Sequence, residues 1–396
     1  MEEGPVTIAP PESLREMEIA ACNLARSVGY VGAATVEYLY LLDTNEFCFL
    51  ELNPRLQVEH PVTEWISGVN IPSCQVMIGM GIPLWRIPDI RRLYKKSVKE
   101  DTYFDLATEE KGGPSGHVVA VRITSEDAGD GFKPTSGSID ELSFRSTPDV
   151  WGYFSVKGGG GVHEYADSQF GHLFAKGETR TEAIKHMLVA LADIKIRGEI
   201  RTTVDYLIDM LQCPGFVNNE VSTSWLDERI EAQVKPDAPV WYLAVIGACV
   251  CKAHQVLQGR MADFVSYLEK GQIPGRNTLL EAVHHTMVIE GVKYDAQVVK
   301  IGPQQYKVSL NGSSVNVVAR ALRDGGLLMQ LDGNAHVVHA EEVAQGTRLL
   351  IGQKTCLIEK EMDPSKVVAL TPGKLVRWLV EDNAHVEADE QYAEIE

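Results

Sequence analysis

The run Glu51-Leu52-Asn53-Pro54-Arg55-Leu56-Gln57-Val58-Glu59-His60 constrains this chain more than any other stretch. In an extended chain residues two apart share a face. Glu51, Asn53, Arg55, Gln57 and Glu59 are therefore expected on one side, with Leu52, Leu56 and Val58 on the other. Pro54, which has no backbone N–H, places the segment at a strand end, where binding sites are commonly built. Upstream, two strand-like runs, 34–42 and 47–52, flank the turn composition Asp43-Thr44-Asn45-Glu46. If the connection is odd-numbered or carries a bulge, Glu37 lies opposite Glu51 on the same face. An even loop sends the two to opposite faces. Directly opposed carboxylates repel unless a cation lies between them, and two carboxylates with the Asn53 amide oxygen are hard ligands suited to Mg²⁺ or Mn²⁺. From spacing alone, a solvated strand edge explains the alternation equally well, and His60 by itself reads as structural.

The rest of the chain is organised as several domains, as expected for 396 residues. A helical stripe, Leu14, Met17, Ala21, Leu24 and Val28, is opened by Pro10-Pro11 and closed by Gly29. A helical pattern returns over 61–80, broken at Pro72, and residues 91–114 read as a charged connector. Strands dominate 116–174, followed by helices over 181–194 and 202–211. Val234-Lys235-Pro236-Asp237-Ala238-Pro239 reads as a linker. Beyond it comes a helix over 240–270, short strands to about 360, and further short strands around Thr371-Pro372-Gly373 and Asp382-Asn383.

With 37 basic against 55 acidic side chains the net charge is −18, which argues against a nucleic-acid surface. The seven cysteines lack C-x-x-C spacing and point to a reduced chain; Cys249 and Cys251 sit in an apolar run that favours burial over metal binding. The most apolar stretch, 240–251, is too short to span a bilayer. The N-terminus lacks the features of a signal peptide, and Asn311-Gly312-Ser313 reads as a turn.

The decapeptide, with Thr35-Val36-Glu37-Tyr38-Leu39 upstream, resembles the metal-binding and catalytic segment of the ATP-grasp fold in biotin carboxylases. Arg122-Ile123-Thr124-Ser125-Glu126-Asp127, Gly131-Phe132-Lys133-Pro134 and Asp167-Ser168-Gln169-Phe170-Gly171-His172 resemble the C-terminal subdomain of that family. Phe144-Arg145-Ser146 with Val150-Trp151-Gly152-Tyr153-Phe154-Ser155-Val156 is similar to the form found in single-chain eukaryotic acetyl-CoA carboxylases. Residues 240–360 resemble the interaction domain of these enzymes. Asp363-Pro364-Ser365, Pro372-Gly373-Lys374-Leu375 and Tyr392-Ala393-Glu394-Ile395-Glu396 look like the first half of a biotinyl carrier domain.

The resemblance implies an α+β multidomain chain. Its parts would be the C-terminal part of an ATP-grasp domain (1–115), a biotin carboxylase C-terminal subdomain (116–235), a helix with an antiparallel β-barrel forming an interaction domain (236–360), and a partial biotinyl β-sandwich (361–396). It implies Glu37, Glu51 and Asn53 as ligands of Mg²⁺ or Mn²⁺, and Arg55, Gln57 and Val58 as the bicarbonate site, where a guanidinium fork fits a carboxylate-like anion. Glu59 would be the general base that deprotonates bicarbonate before attack on the γ-phosphate of ATP. Arg122 would stabilise the biotin enolate. The cofactors implied are ATP, the divalent metal and biotin, whose attachment lysine is expected just beyond the last residue. The glycine-rich lid is expected before the first, so that this polypeptide alone should turn over little or not at all.

The implied setting is cytoplasmic malonyl-CoA synthesis for fatty acids. The partners would be the biotinyl carrier and carboxyltransferase domains of a homo-oligomeric enzyme, with no nucleic acid and no membrane span. Two alternatives stay open: a pyruvate- or propionyl-CoA-type carboxylase, and a non-catalytic interaction fragment. Gly158-Gly159-Gly160-Gly161 lies between strand-like runs rather than before a helix, and reads as a hairpin loop rather than a phosphate loop. His284-His285 reads as structural.

Overall fold

A computed structural model describes all residues except 107, 164, 166, 233–237, 276–281, 290, 324, 344–345, 353, 360–373, 382–383, 388–389 and 396. The chain divides into two compact units, 1–236 and 237–396. The expected linker lies mostly outside the described residues, as do Asp363-Pro364-Ser365, Thr371-Pro372-Gly373 and Asp382-Asn383.

The first unit runs β1 (Glu2–Gly4), α1 (Pro11–Ser27), β2 (Thr35–Leu41), β3 (Glu46–Asn53), α2 (His60–Ser67), α3 (Ile71–Gly79) and α4 (Pro88–Leu93). It continues with β4 (His117–Thr124), β5 (Glu126–Asp127), β6 (Lys133–Pro134), β7 (Gly137–Ser143), β8 (Val150–Phe154), β9 (Gly160–Val162) and β10 (Gln169–Gly177). The last part is α5 (Arg180–Asp193), β11 (Lys195–Gly198), α6 (Val204–Gln212), α7 (Pro214–Val217) and α8 (Trp225–Glu231).

Its main sheet has the order β1-β4-β10-β8. Val118, Val119, Ala120 and Val121 are all fully buried, so this sheet is covered on both faces. On one face Val119, Val121, Ile123, Leu173 and Ala175 pack with Ala183, Met187 and Leu191 of α5 and Leu211 of α6. On the other, Val118, Ala120 and Phe174 meet Val62, Trp65 and Ile66 of α2. Arg122 ends that apolar run on the α2 face, so its charge must find partners there.

Several sequence expectations are corrected. The break in the 61–80 helix falls at Gly68, whose φ of 71° ends α2, and at Asn70, whose side chain caps α3; Pro72 sits in the first turn of α3, where a missing N–H costs nothing. The 91–114 connector is organised around a buried arginine. The Arg91 guanidinium, 1% exposed, donates to the carbonyls of Ser97 (2.6 Å), Trp85 (2.9 Å) and Thr102 (2.9 Å). The four glycines do not close a hairpin. Gly158 and Gly159 lie on the connection from β8, which pairs with β10, to β9, which Gly160 and Gly161 begin and which pairs with β7 in the separate sheet β11-β7-β9. Gly161 belongs there because a Cβ would stand 2.8 Å from the Gly137 carbonyl.

The second unit opens with the 29-residue α9 (Trp241–Glu269). There follow β12 (Ala282–Ile289), β13 (Val292–Gly302), β14 (Gln305–Leu310), β15 (Ser313–Ala321), β16 (Leu327–Leu331), β17 (Asn334–Val343), β18 (Gly346–Ile351) and β19 (Lys354–Glu359). These eight strands close into an antiparallel barrel through Val288 opposite Glu359. Asn311-Gly312 and Asp332-Gly333 make tight two-residue turns with φ near 50° and 80°, as the Asn311 reading anticipates. Ala244, Gly247 and Ala248 let α9 approach closely: a Cβ on Gly247 would meet Ile351 at 3.4 Å. Cys249 is fully buried there, and burial pushes its thiol up to about 12. His284 and His285 lie in β12, the first exposed and the second half-buried. The end of the chain pairs β20 (Leu375–Trp378) with β21 (Ala393–Ile395). No described helix is long and apolar enough to cross a membrane.

Candidate active site

The hairpin β2–β3 settles the parity question. Near the turn Leu41 faces Glu46 and Tyr38 faces Phe49, an even connection that would set Leu50 opposite Glu37. A bulge at Leu50 absorbs one residue, and Glu37 comes to face Glu51, with Thr35 facing Asn53. Tyr38 anchors the hairpin: its hydroxyl donates to the Met17 carbonyl of α1 (3.2 Å), and its ring meets Phe47 edge-on. The Asn53 Nδ2 then stands 2.8 Å from Glu37 Oε1 and 2.9 Å from Glu51 Oε1. Gln57 Nε2 reaches the same Glu37 oxygen at 3.4 Å.

This set fits a divalent cation on its own chemistry. Two carboxylates share a single amide donor, and rotation of that amide by half a turn would present its oxygen as a third hard ligand. Among the described residues no group of three or more His, Cys, Asp or Glu side chains is placed to hold a metal ion; here the third donor is an amide.

Beyond Asn53 the extended reading fails. Pro54 cannot continue the ladder, the Arg55 N–H turns back to the Asn53 carbonyl (2.9 Å), and the His60 N–H to that of Gln57 (3.3 Å). The face-sharing argument therefore reaches only Asn53, and Arg55, Gln57 and Glu59 are placed by turns. Arg55 is exposed, and its guanidinium donates at 3.5 Å to the Leu56 carbonyl. Val58 is half-buried. Among the described contacts, neither Arg55 nor Val58 bonds to the Glu37 group or to Glu59. His60 lies 3.1 Å from Glu64, one helical turn on, a structural contact.

Glu59 precedes the first turn of α2 and pairs with the Arg122 guanidinium of β4. The Arg122 Nε–H donates to Glu2 Oε1 (3.0 Å), and Glu2 Oε2 pairs with His172 Nε2 (3.1 Å). Burial works against the Arg122 charge, but the hydrogen bonds and charges of Glu59 and Glu2 outweigh it, so the guanidinium binds its proton more tightly than usual. Burial likewise raises the Glu2 carboxyl. The hydrogen bond from His172 and the charges of the α-amino group, His172 and Arg122 outweigh that and leave it below the ordinary range.

The structure thus gathers the predicted residues into two groups: Glu37, Glu51 and Asn53 on the hairpin with Gln57 just beyond it, and Glu59 before α2 with Arg122 of β4. Glu2 and the imidazole of His172 are additions that sequence reasoning missed. No local signal marks Glu2, whose partners lie 120 and 170 residues away.

Three family models match in chain order. Residues 1–87 match "Carbamoyl-phosphate synthase L chain, ATP binding domain", 120–228 match "Biotin carboxylase C-terminal domain", and 241–359 match "Acetyl-CoA carboxylase, BT domain". Acetyl-CoA carboxylase 1 of Arabidopsis thaliana is 54% identical over 100% of this chain, and acetyl-CoA carboxylase of Saccharomyces cerevisiae 45% over 100%. The chain spans 18% of the length of each. Among solved structures, the biotin carboxylase domain dimer of Hydrogenobacter thermophilus 2-oxoglutarate carboxylase, in complex with MgADP, ADP and bicarbonate, superposes with a TM-score of 0.50 at 25% identity. That match covers 59% of this chain and 47% of the other. Along its whole length the chain is similar to acetyl-CoA carboxylases, and in chain order to an ATP-binding domain, a biotin carboxylase C-terminal domain and an acetyl-CoA carboxylase BT domain.

Proposed function

We propose that the chain serves the biotin carboxylase half-reaction of an acetyl-CoA carboxylase, the ATP- and bicarbonate-dependent carboxylation of biotin that leads to malonyl-CoA in the cytoplasm. The observation that carries this reading is the opposition of Glu37 and Glu51 about the Asn53 amide, forced by the bulge at Leu50. Glu37, Glu51 and Asn53 would hold Mg²⁺ or Mn²⁺, which when bound offsets the charge of the ATP phosphates. Arg55, Gln57 and Val58 are assigned to bicarbonate, with the exposed Arg55 fork free of any described carboxylate to meet the anion.

Glu59 takes the bicarbonate proton: the O–H bond breaks, the proton passes to the Glu59 carboxylate, and the oxyanion attacks the γ-phosphorus of ATP as ADP leaves. The product is carboxyphosphate. That transfer removes the charge of one of the two carboxylates that hold Arg122. The guanidinium is then available to the negative charge that grows on the ureido oxygen of the acceptor. We assign 1–115 and 116–235 to this chemistry, 236–360 to an interaction domain and 361–396 to a partial carrier domain, with carrier and carboxyltransferase domains of a homo-oligomeric enzyme as partners.

The test combines this chain with the upstream nucleotide-binding portion of the Arabidopsis thaliana relative and measures bicarbonate-dependent ATP hydrolysis. Activity should depend on bicarbonate and on Mg²⁺, and Glu59→Ala should abolish it. Hydrolysis indifferent to both bicarbonate and Glu59→Ala would overturn the reading, as would failure of the isolated chain to bind Mn²⁺ in a titration.

A further inference from the structure

We propose that Glu2, locked in place by His172, is a positioning residue that keeps Arg122 aimed at the acceptor once Glu59 has been neutralised. This rests on the biotin carboxylase reading and extends it to residues that reading does not use.

Register places the parts. Glu2 of β1 faces Ala120, His172 of β10 faces Arg122, and Tyr153 of β8 faces His172. Paired residues share a side, and Ala120 and Arg122 are two apart, so Glu2, Arg122, His172 and Tyr153 stand on one face across all four strands. Glu59 reaches the same guanidinium from α2, which covers that face. Arg122 is therefore held from two directions by two acids, one on the sheet and one on the helix.

The two grips differ in kind. Glu59 belongs to a turn at the start of a helix. Glu2 is fixed at both oxygens: Oε1 accepts from Arg122 Nε at 3.0 Å, and Oε2 faces His172 Nε2 at 3.1 Å. The His172 side chain has no solvent exposure, whereas that of Arg122 is 49% exposed. The imidazole stacks on Phe174 at 4.6 Å with planes 6° apart, which denies it rotation. Its Nδ1 lies 3.4 Å from the Gln169 amide nitrogen, and its Nε2 donates to the Glu2 carboxylate. β1 itself is pinned from the opposite face, where Glu3 accepts from Arg180 Nε at 2.8 Å.

A half-exposed arginine held by a single surface acid samples many rotamers. Here its Nε, the atom nearest the stem, is tied to a carboxylate that is itself tied to the core. The terminal nitrogens are left for an exchangeable partner. On the reaction path Glu59 gains a proton and its attraction weakens, while Glu2 keeps its charge and Arg122 stays in place. The arrangement separates holding from reacting: Glu2 holds, and Glu59 reacts.

The experiment uses the same combined enzyme with two readouts, bicarbonate-dependent ATP hydrolysis without acceptor, and ATP-dependent carboxylation of free biotin. Glu2→Gln, which keeps shape and removes charge, should lower kcat for biotin carboxylation by about tenfold to a hundredfold. Hydrolysis without acceptor and the KM for ATP should stay within about twofold, because neither needs Arg122 aimed. In the isolated chain, arginine-selective ¹⁵N NMR should show a slowly exchanging Arg122 Nε–H that is lost in Glu2→Ala and in His172→Leu. Arg122→Ala separates the failures. If it leaves biotin carboxylation intact, the role given to Arg122 falls and this proposal with it. If it abolishes carboxylation while Glu2→Gln changes neither rate, the positioning proposal alone is overturned. Equal loss of both rates in Glu2→Gln also overturns it, as does an Arg122 Nε–H already in fast exchange in the unaltered chain.

Discussion

Replacing Glu37 by Gln should move stability and metal affinity in opposite directions. Glu37 Oε1 and Glu51 Oε1 lie 2.8 and 2.9 Å from the same Asn53 nitrogen, which puts the two oxygens within about 6 Å of each other. Two unit charges about 5 Å apart repel by roughly 3 kcal/mol at an effective dielectric of about 20. Glu51 is exposed and Glu37 half-buried, so solvent and salt reduce that to about 1 kcal/mol. Without metal, Glu37→Gln should therefore raise the unfolding midpoint of the first unit by roughly 2–4 °C. The same change deletes one of two carboxylate ligands and should weaken Mn²⁺ by at least about tenfold, or about 1.4 kcal/mol. Thermal unfolding in EDTA at low salt gives the first number, and water-proton relaxation during a Mn²⁺ titration gives the second. A lower midpoint without metal, or unchanged Mn²⁺ affinity, would show that no carboxylate pair is poised around a cation. Adding salt should shrink the stability gain, since only the repulsion is screened.

Two further outcomes follow from buried groups. Arg91→Met should destabilise the first unit by about 3–5 kcal/mol, read from urea unfolding, because three carbonyls lose the donor that organises the connector; a loss under about 1 kcal/mol would mean that water replaces the guanidinium. In the second unit, burial lowers the pKa of His254 and of His285, aided by Lys300 for the first and Lys252 for the second. A lowered histidine pKa means the unfolded chain binds protons first, so this stability is complete above 6.5 and is lost as pH falls through the folded values. The urea midpoint of this unit should hold above pH 6.5 and fall as the pH drops below it, and the double variant His254→Gln/His285→Gln should flatten that slope.

Much of the fold was legible in short-range pattern: α1 from its stripe and closing Gly29, the β2–β3 hairpin from its turn residues, α9 from its apolar run, and the Asn311-Gly312 turn. What the sequence left open was long-range. The parity of β2–β3 hangs on a bulge at Leu50, and no Gly, Pro or other turn residue beside it announces one. Alternation and turns can share a polar pattern, so the decapeptide reads as extended; Pro54 marks the boundary, yet the Asn53 carbonyl capturing the Arg55 N–H is visible only in three dimensions. Arg91 resembled one more solvated charge in a charged segment, and only its three carbonyl partners show it to be interior.

The barrel of the second unit also says how that unit is assembled. Each of its strands pairs with the next one along the chain, so nearly every contact in the ladder can form within one hairpin of its neighbour. Only the seam between β12 and β19 joins distant segments. Such wiring keeps loop-closure entropy small until the last step, and favours quick, stepwise zippering with a single slow event at the seam. Cutting and rejoining the chain at the Asp332-Gly333 turn should therefore alter the order of events more than the final fold.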